Sequence, residues 1–200
     1  MKKALFLLVL MFCIMQSQAQ QQVPYNLPTP QKWSVERLPI PITFAPKIPL
    51  NGIEELRFAP GWGISKSGEY WAYTFLWFIN GKPWLNADTL NNYVRQYYDG
   101  LYITNLKNKT NPPANFTRST VKPIPRLLND AETYEGQITT LDFLTGKPIV
   151  FNIRIHVRNY PQVKRTAILF QVASQDYHQP VWAVMNNIIA GFSVKDDNYY

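Results

Sequence analysis

Cysteine is almost absent from this chain. The single cysteine, Cys13, lies within an apolar segment close to the N-terminus. The rest of the sequence therefore has no means of forming a disulfide bond, a thiolate metal site or a cysteine nucleophile. Stability must come from an ordinary hydrophobic core, for which the roughly 180 residues that follow this N-terminal segment are enough.

Histidine is also scarce, and the usual catalytic patterns are missing. The two histidines, His156 and His178, show neither the H-x-H nor the H-E-x-x-H spacing of metal sites. Glycine-rich phosphate loops and dinucleotide-binding fingerprints are absent as well. We therefore expect no catalytic residue, no metal and no cofactor, which predicts a protein that is not an enzyme.

A hydrolase is the less favoured alternative. Ser174, Asp176 and His178 are close in sequence, but a catalytic triad is defined by geometry rather than by proximity along the chain. The segment is more simply interpreted as a turn before Pro180. In the hydrolase alternative, His156 or His178 would act as the catalytic base.

The N-terminus has the pattern of a secretory signal peptide. Two lysines precede the apolar run Ala4 to Met15, which is too short to span a bilayer. Small residues then precede a predicted cleavage between Ala19 and Gln20. We expect an exported protein, periplasmic or secreted, with no membrane span in its mature form.

Lipid attachment and nucleic-acid binding are both disfavoured. Met11 and Phe12 precede Cys13, where lipoprotein processing requires small residues. Subtracting the two leader lysines from 20 basic residues leaves 18 against 13 acidic ones, a net charge of +5. These basic residues are scattered rather than clustered, so we expect no nucleic-acid partner.

The most apolar stretch outside the leader is Tyr70 to Ile79. Its aromatic and β-branched residues predict a strand. Alternation places Trp71, Tyr73 and Phe75 on one face and Ala72, Thr74 and Leu76 on the other. Neither face is polar, so the strand should be covered on both sides, either as core or as the wall of a ligand pocket.

Proline dominates residues 20 to 50, which excludes helix and predicts an extended arm. Beyond it, the patterns predict a strand at Glu54 to Ala59 and a helix at Thr89 to Tyr102, followed by a long loop at Asn105 to Pro125. Further along, they predict a hairpin of Tyr134 to Phe143 with Lys147 to Arg158, a strand at Arg165 to Ser174, and a helix from Pro180 to Gly191.

This element order predicts an α+β domain, an antiparallel sheet flanked by two main helices with an extended proline-rich arm at its N-terminus. The predicted organisation is a signal peptide at 1–19, the arm at 20–50 and a single domain at 51–200. The order, with a closing helix that ends in Gly191-Phe192-Ser193-Val194, resembles the PsbP and Mog1-like fold over Glu54 to Val194. The resemblance implies a non-enzymatic binding or assembly protein and assigns no functional residues.

Two binding surfaces are predicted. Arg154, His156 and Arg158 alternate with apolar residues along one strand, so we expect them to face outward and to form a contact surface with the Asn105 to Pro125 loop. This favours an accessory or binding protein of the bacterial envelope or periplasm. The alternative is a carbohydrate- or lipid-binding module with a pocket lined by Trp71, Trp77 and Trp84. The expected partner is an unidentified protein or a small apolar or glycan ligand of the envelope.

Overall fold

The computed structural model describes residues 23–106, 116–127 and 129–195. The predicted leader and its cleavage site lie outside these residues. The chain divides into two compact units, of which the smaller contains the terminal segments and the larger residues 27–192. In the smaller unit, β1 (Tyr25–Asn26) pairs antiparallel with β10 (Ser193–Val194), and the Lys195 amide donates to the Pro24 carbonyl at 2.9 Å.

Within its described residues, the larger unit contains one eight-stranded antiparallel sheet and two α-helices. The elements are β2 (Ser34–Ile40), β3 (Gly52–Phe58), β4 (Tyr73–Asn80), α1 (Ala87–Asn105), β5 (Arg118–Ser119), β6 (Lys122–Ile124), β7 (Glu132–Leu141), β8 (Pro148–Tyr160), a 3₁₀ turn (Pro161–Val163), β9 (Arg165–Ala173) and α2 (Pro180–Ala190). The strands occur in the order β2-β3-β4-β9-β8-β7-β5, and β6 also pairs with β7. This confirms the predicted α+β class.

Strand β4 lies at the centre and is buried on both faces, as its sequence predicts. It pairs with β3 on one side and with β9 on the other. The strand begins at Tyr73 rather than at the predicted Tyr70. Trp71 has a φ of 55°, which is not an extended conformation, so the strand cannot include it. Both faces of β4 therefore carry packed layers.

The first face of the sheet is aromatic and lies beneath α1. The Phe75 ring stacks on Phe170 of β9 with centroids 4.2 Å apart, and on Tyr97 of α1 at 5.3 Å. The helix begins at Ala87, two residues before the predicted Thr89, because the Asn86 side chain caps it by accepting a hydrogen bond from the Thr89 amide at 2.9 Å. This face therefore contains the larger part of the core.

The second face lies beneath α2, whose apolar stripe includes Trp182, Met185 and Ile188. These side chains are buried, as are Leu76 and Leu169 on the strands. Pro180 occupies the first turn of α2, and Gly191 forms its C-cap. The sheet is therefore enclosed between two helical layers.

The proline-rich arm contributes a strand to the sheet. Its residues 34–40 form β2, which pairs with β3 at the edge of the sheet. An edge is where a strand tolerates proline, here Pro39. After β2 the arm approaches α1 so closely that a Cβ atom on Gly100 would lie 1.8 Å from the Phe44 carbonyl oxygen. The glycine therefore permits the arm to pack on the helix.

Part of the predicted Asn105 to Pro125 loop, residues 107–115, lies outside the described residues. The described part contains the short strands β5 and β6. Among the helices of the described chain, none combines the length and the apolar character needed to cross a bilayer.

We expect Gly100→Ala to destabilise the protein by about 1–3 kcal/mol, because the new methyl group must displace the Phe44 backbone. In an unconstrained helix the same change stabilises by up to about 1 kcal/mol. Urea unfolding measures the difference. Gly63→Ala is the control, since nothing lies within 4 Å of its added Cβ. A stabilising effect of Gly100→Ala would contradict the close contact.

Candidate functional site

The predicted basic contact surface is buried. Arg154, His156 and Arg158 do share one face of β8, but His156 is only 2% exposed and Arg158 4%. The prediction that they face outward is wrong, because α2 covers this face of the sheet. Arg154 is partly covered as well, since its guanidinium lies 5.1 Å from the Tyr177 ring centroid and 5.7 Å from that of Trp182.

The charges on this face are neutralised by carboxylates within the protein. Asp130 accepts hydrogen bonds from His156 Nδ1 at 2.6 Å and from Arg158 Nε at 2.8 Å. Burial opposes ionisation of Asp130, but the contacts with His156 and Arg158 outweigh it and lower the Asp130 pKa. Glu135 pairs with Arg154 at 2.5 Å. These basic residues therefore stabilise the fold rather than present an anion site.

His156 is held by hydrogen-bond partners at both ring nitrogens. An arginine only donates, so the Asn186 Oδ1 that lies 3.3 Å from Arg154 Nη1 is an acceptor. The same oxygen accepts from Gln171 Nε2 at 2.9 Å, which turns Gln171 Oε1 towards His156 Nε2 at 3.0 Å. Both ring nitrogens of His156 thus have hydrogen-bond partners within the fold, and neither is free for catalysis.

The predicted triad residues are engaged elsewhere. The Ser174 hydroxyl donates to the Tyr70 carbonyl at 2.7 Å. His178 is exposed, and its Nε2 lies 3.1 Å from Gln179 Nε2. Within the described part of the chain, the structure places no hydrogen bond between Ser174, Asp176 and His178.

The three predicted pocket tryptophans do not meet in one pocket. Trp77 is 1% exposed and donates from Nε1 to Glu54 Oε1 at 2.9 Å, so it belongs to the core. Trp71 lines an apolar cleft. Trp84 is 82% exposed and borders a separate groove. These tryptophans therefore belong to three different environments.

The apolar cleft has a volume of about 730 Å³ and lies between the arm, the C-terminal half of α1 and the loops that carry Trp62 and Phe143. Glu36 is the one charged residue among the described residues that line it. The lining contains seven aromatic residues, Phe44, Phe58, Trp62, Trp71, Tyr73, Tyr97 and Phe143, together with Ser34, Val35, Glu36, Leu38, Pro39, Ile42, Thr43, Leu56, Leu101 and Asn105.

The aromatic rings of the cleft support one another from different elements. Trp71 packs edge-on against Trp62 at 5.8 Å and against Phe143 at 4.9 Å. Phe58 stacks on Tyr73 at 5.7 Å. The Tyr73 hydroxyl is hydrogen-bonded to that of Tyr98 inside the core, so its polar end is satisfied. The cleft therefore presents ring surface rather than hydroxyl groups.

Trp71 adopts a strained backbone conformation at the wall of the cleft. A φ of 55° is unfavourable for a bulky residue and costs about 1–3 kcal/mol. Asp142 offsets this strain by accepting two hydrogen bonds, one from Trp71 Nε1 at 3.1 Å and one from the Tyr70 hydroxyl at 2.5 Å. Asp142 itself is held by the Leu144 amide at 2.8 Å. Strain maintained in this way is typical of binding sites.

Glu54 is a carboxyl group buried behind the cleft. Its Oε1 accepts from Trp77, whereas its Oε2 makes no hydrogen bond of standard geometry with any described residue. Burial raises the pKa of Glu54 to about 7, against the opposing effects of Trp77 and Tyr97. The neutral acid is therefore the form that the fold prefers.

Sequence reasoning missed most of the cleft and all of the Asp130 pairing. Phe58 and Trp62 lie far from Phe143 in sequence. Asp130 is 26 positions from His156, and its segment has no periodic pattern that would pair it with β8. The Pro60-Gly61-Trp62 turn was the available signal, because a large aromatic residue next to a turn often packs back against the domain.

Comparisons with known proteins leave the family open. No known family model matches the chain, and no curated protein sequence matches it. The chain is similar to the crystal structure of LpqN, involved in cell envelope biogenesis of Mycobacterium tuberculosis, with a TM-score of 0.36 and 12% identity over 86% of this chain and 83% of that one. Function is therefore argued from the residues of the chain.

We expect Asp130→Ala to cost about 3–5 kcal/mol, because it leaves the buried Arg158 guanidinium without its carboxylate and His156 without its partner at Nδ1. Urea unfolding at neutral pH provides the measurement. Glu135→Ala is the matched control, since its pair with Arg154 is partly solvated and should cost less. Equal losses for the two variants would contradict the buried-charge account.

We expect the stability of the protein to fall as the pH rises from 4.5 to 7, because the folded state holds the Glu54 proton more tightly than the unfolded chain does. The rise of the Glu54 pKa from 4.5 to about 7 corresponds to about 3 kcal/mol in the free energy of unfolding. Glu54→Gln keeps an acceptor for Trp77 and should abolish this loss. Urea unfolding at pH values on both sides of the window, with Asp176→Asn as an exposed control, measures it. An unchanged pH slope in Glu54→Gln would refute the assignment.

Proposed function

We propose that this protein is an exported, non-enzymatic binding protein of the bacterial envelope or periplasm, and that it takes the acyl chain of an envelope lipid into the aromatic cleft. The observation that carries the proposal is the cleft itself. Seven aromatic residues line about 730 Å³ of space beside a sheet edge. Ligand pockets of this size and apolar character are typical of small-molecule sites.

The chemistry of the lining favours a hydrocarbon ligand. The Tyr73 hydroxyl is already used inside the core, and the Trp71 indole nitrogen donates to Asp142. The ring faces remain for the ligand, and apolar contact gives about 25 cal/mol for each Å² removed from water. A glycan would need many more polar partners than this lining offers.

The charge of the lining favours a neutral head group at the mouth. Glu36 is exposed on β2, and no lysine or arginine occurs among the described lining residues. A free carboxylate would therefore meet repulsion rather than an ion pair. An esterified acyl chain, with its polar head in water beside Ser34 and Thr43, fits this arrangement.

Export and the absence of catalysis are supported by separate observations. The leader pattern with its small residues before Gln20 supports passage across a membrane. Against catalysis, His156 is engaged at both ring nitrogens, and the lining of the cleft contains no histidine. Among the described lining residues, a general base would have to be Glu36, which is exposed and has no orienting partner among them.

A neutral monoacylglycerol with bromine atoms along its acyl chain tests the proposal. Bromine quenches indole fluorescence on contact, so the ligand should quench Trp62, which is partly exposed in the cleft, and leave Trp182 on the opposite face unchanged. Trp62→Phe should reduce the quenched amplitude while binding persists. Absence of quenching in the parent protein would overturn the proposal.

A blocking variant separates cleft binding from surface adsorption. Ser34→Phe adds a ring at the mouth of the cleft and should weaken binding by about tenfold or more, which is about 1.4 kcal/mol. Val150→Phe adds the same ring to an exposed position on the opposite face of the sheet and should bind like the parent. If Ser34→Phe binds as well as the parent, the ligand does not occupy the cleft.

A further inference from the structure

A second groove, of about 740 Å³, lies at the N-terminal end of α1. It is bordered by the loop that precedes α1, by the segment around Arg126 and by the β7 residues Glu132 and Tyr134. None of these residues belongs to the aromatic cleft. The groove is therefore a separate surface feature.

Trp84 stands in this groove with 82% of its surface exposed. Tryptophan is normally among the more buried residues, so a ring this exposed indicates a contact that the folded chain does not itself provide. The loop around it is anchored at both ends. The Gly81 amide donates to the Lys164 carbonyl at 2.8 Å, and Asn86 caps α1. The ring is thus presented from a held backbone.

The groove surrounds this ring with polar side chains whose charges balance. Lys82 and Arg126 contribute two positive charges, and Asp88 and Glu132 contribute two negative ones. Asp88 and Glu132 can accept hydrogen bonds, and Lys82 and Arg126 can donate them. The groove therefore offers both donors and acceptors while its net charge is zero. A strongly anionic or cationic ligand gains little from such a site.

We propose that this groove binds a neutral oligosaccharide, with one sugar ring stacked on Trp84. A pyranose has an apolar face of C–H groups that packs on an indole, and hydroxyl groups around its edge that both donate and accept. Trp84 supplies the platform, and Glu132, Asp88 and Arg126 are the hydrogen-bonding partners at the edge. The site is independent of acyl-chain binding in the cleft.

Isothermal titration of the mature protein with two neutral glycans tests this inference. The probes are the β-1,4-linked tetramer of N-acetylglucosamine and the α-1,4-linked hexamer of glucose. At least one should bind, Trp84→Ala should lose about tenfold or more in affinity, and Trp84→Phe should retain part of it. Because Trp84 is exposed, these variants keep the fold, which unfolding curves verify.

Ile64→Ala is the matched control, because Ile64 is another exposed apolar residue, at 61%, and does not line the groove. It should bind glycan like the parent protein. Failure of both probes to bind, or equal binding by Trp84→Ala and the parent, would overturn the inference. A glycan displaced by the brominated monoacylglycerol would also overturn it, because the two ligands would then share the cleft.

Discussion

The burial of β4 on both faces is the constraint on which the structure depends. A strand with no solvent-facing side needs a covering layer above and below, so α1 and α2 must pack on opposite faces of the sheet. The aromatic stack of Phe75, Phe170 and Tyr97 joins β4, β9 and α1. The positions of the arm, the cleft and the polar clusters all follow from this arrangement.

Two-sided burial also determines how the charged residues are arranged. His156 and Arg158 lie on the face of β8 that α2 covers. They therefore require Asp130 as a partner inside the protein. On the opposite face, none of the described residues places a cation beside Glu54, and the Glu54 proton takes the place of a counter-charge. Of these two buried carboxyl groups, Asp130 is held ionised, and Glu54 keeps its proton up to about neutral pH.

Local structure was largely predictable, because hydrophobic periodicity, helix-capping residues and the glycines and prolines that end elements are all visible within short stretches of sequence. The helix from Thr89, the hairpin turn near Gly146 and the helix that ends at Gly191 all occur within a few residues of their predicted places. The prediction of an outward-facing basic surface was wrong. Alternation along a strand shows which residues share a face, but it does not show what packs on that face. The cleft escaped prediction for a related reason, since Phe58 and Phe143 become neighbours only after the sheet forms.

The close approach of Phe44 to Gly100 has an implication for other sequences. The arm forms one wall of the cleft, and it reaches that position only where the helix surface lacks a side chain. A glycine in the next-to-last turn of the corresponding helix, together with an aromatic residue shortly after the edge strand, is thus a sequence signature for the cleft. Chains that keep the sheet but carry a larger residue there would have this wall displaced, and the opening beside the edge strand would differ in shape.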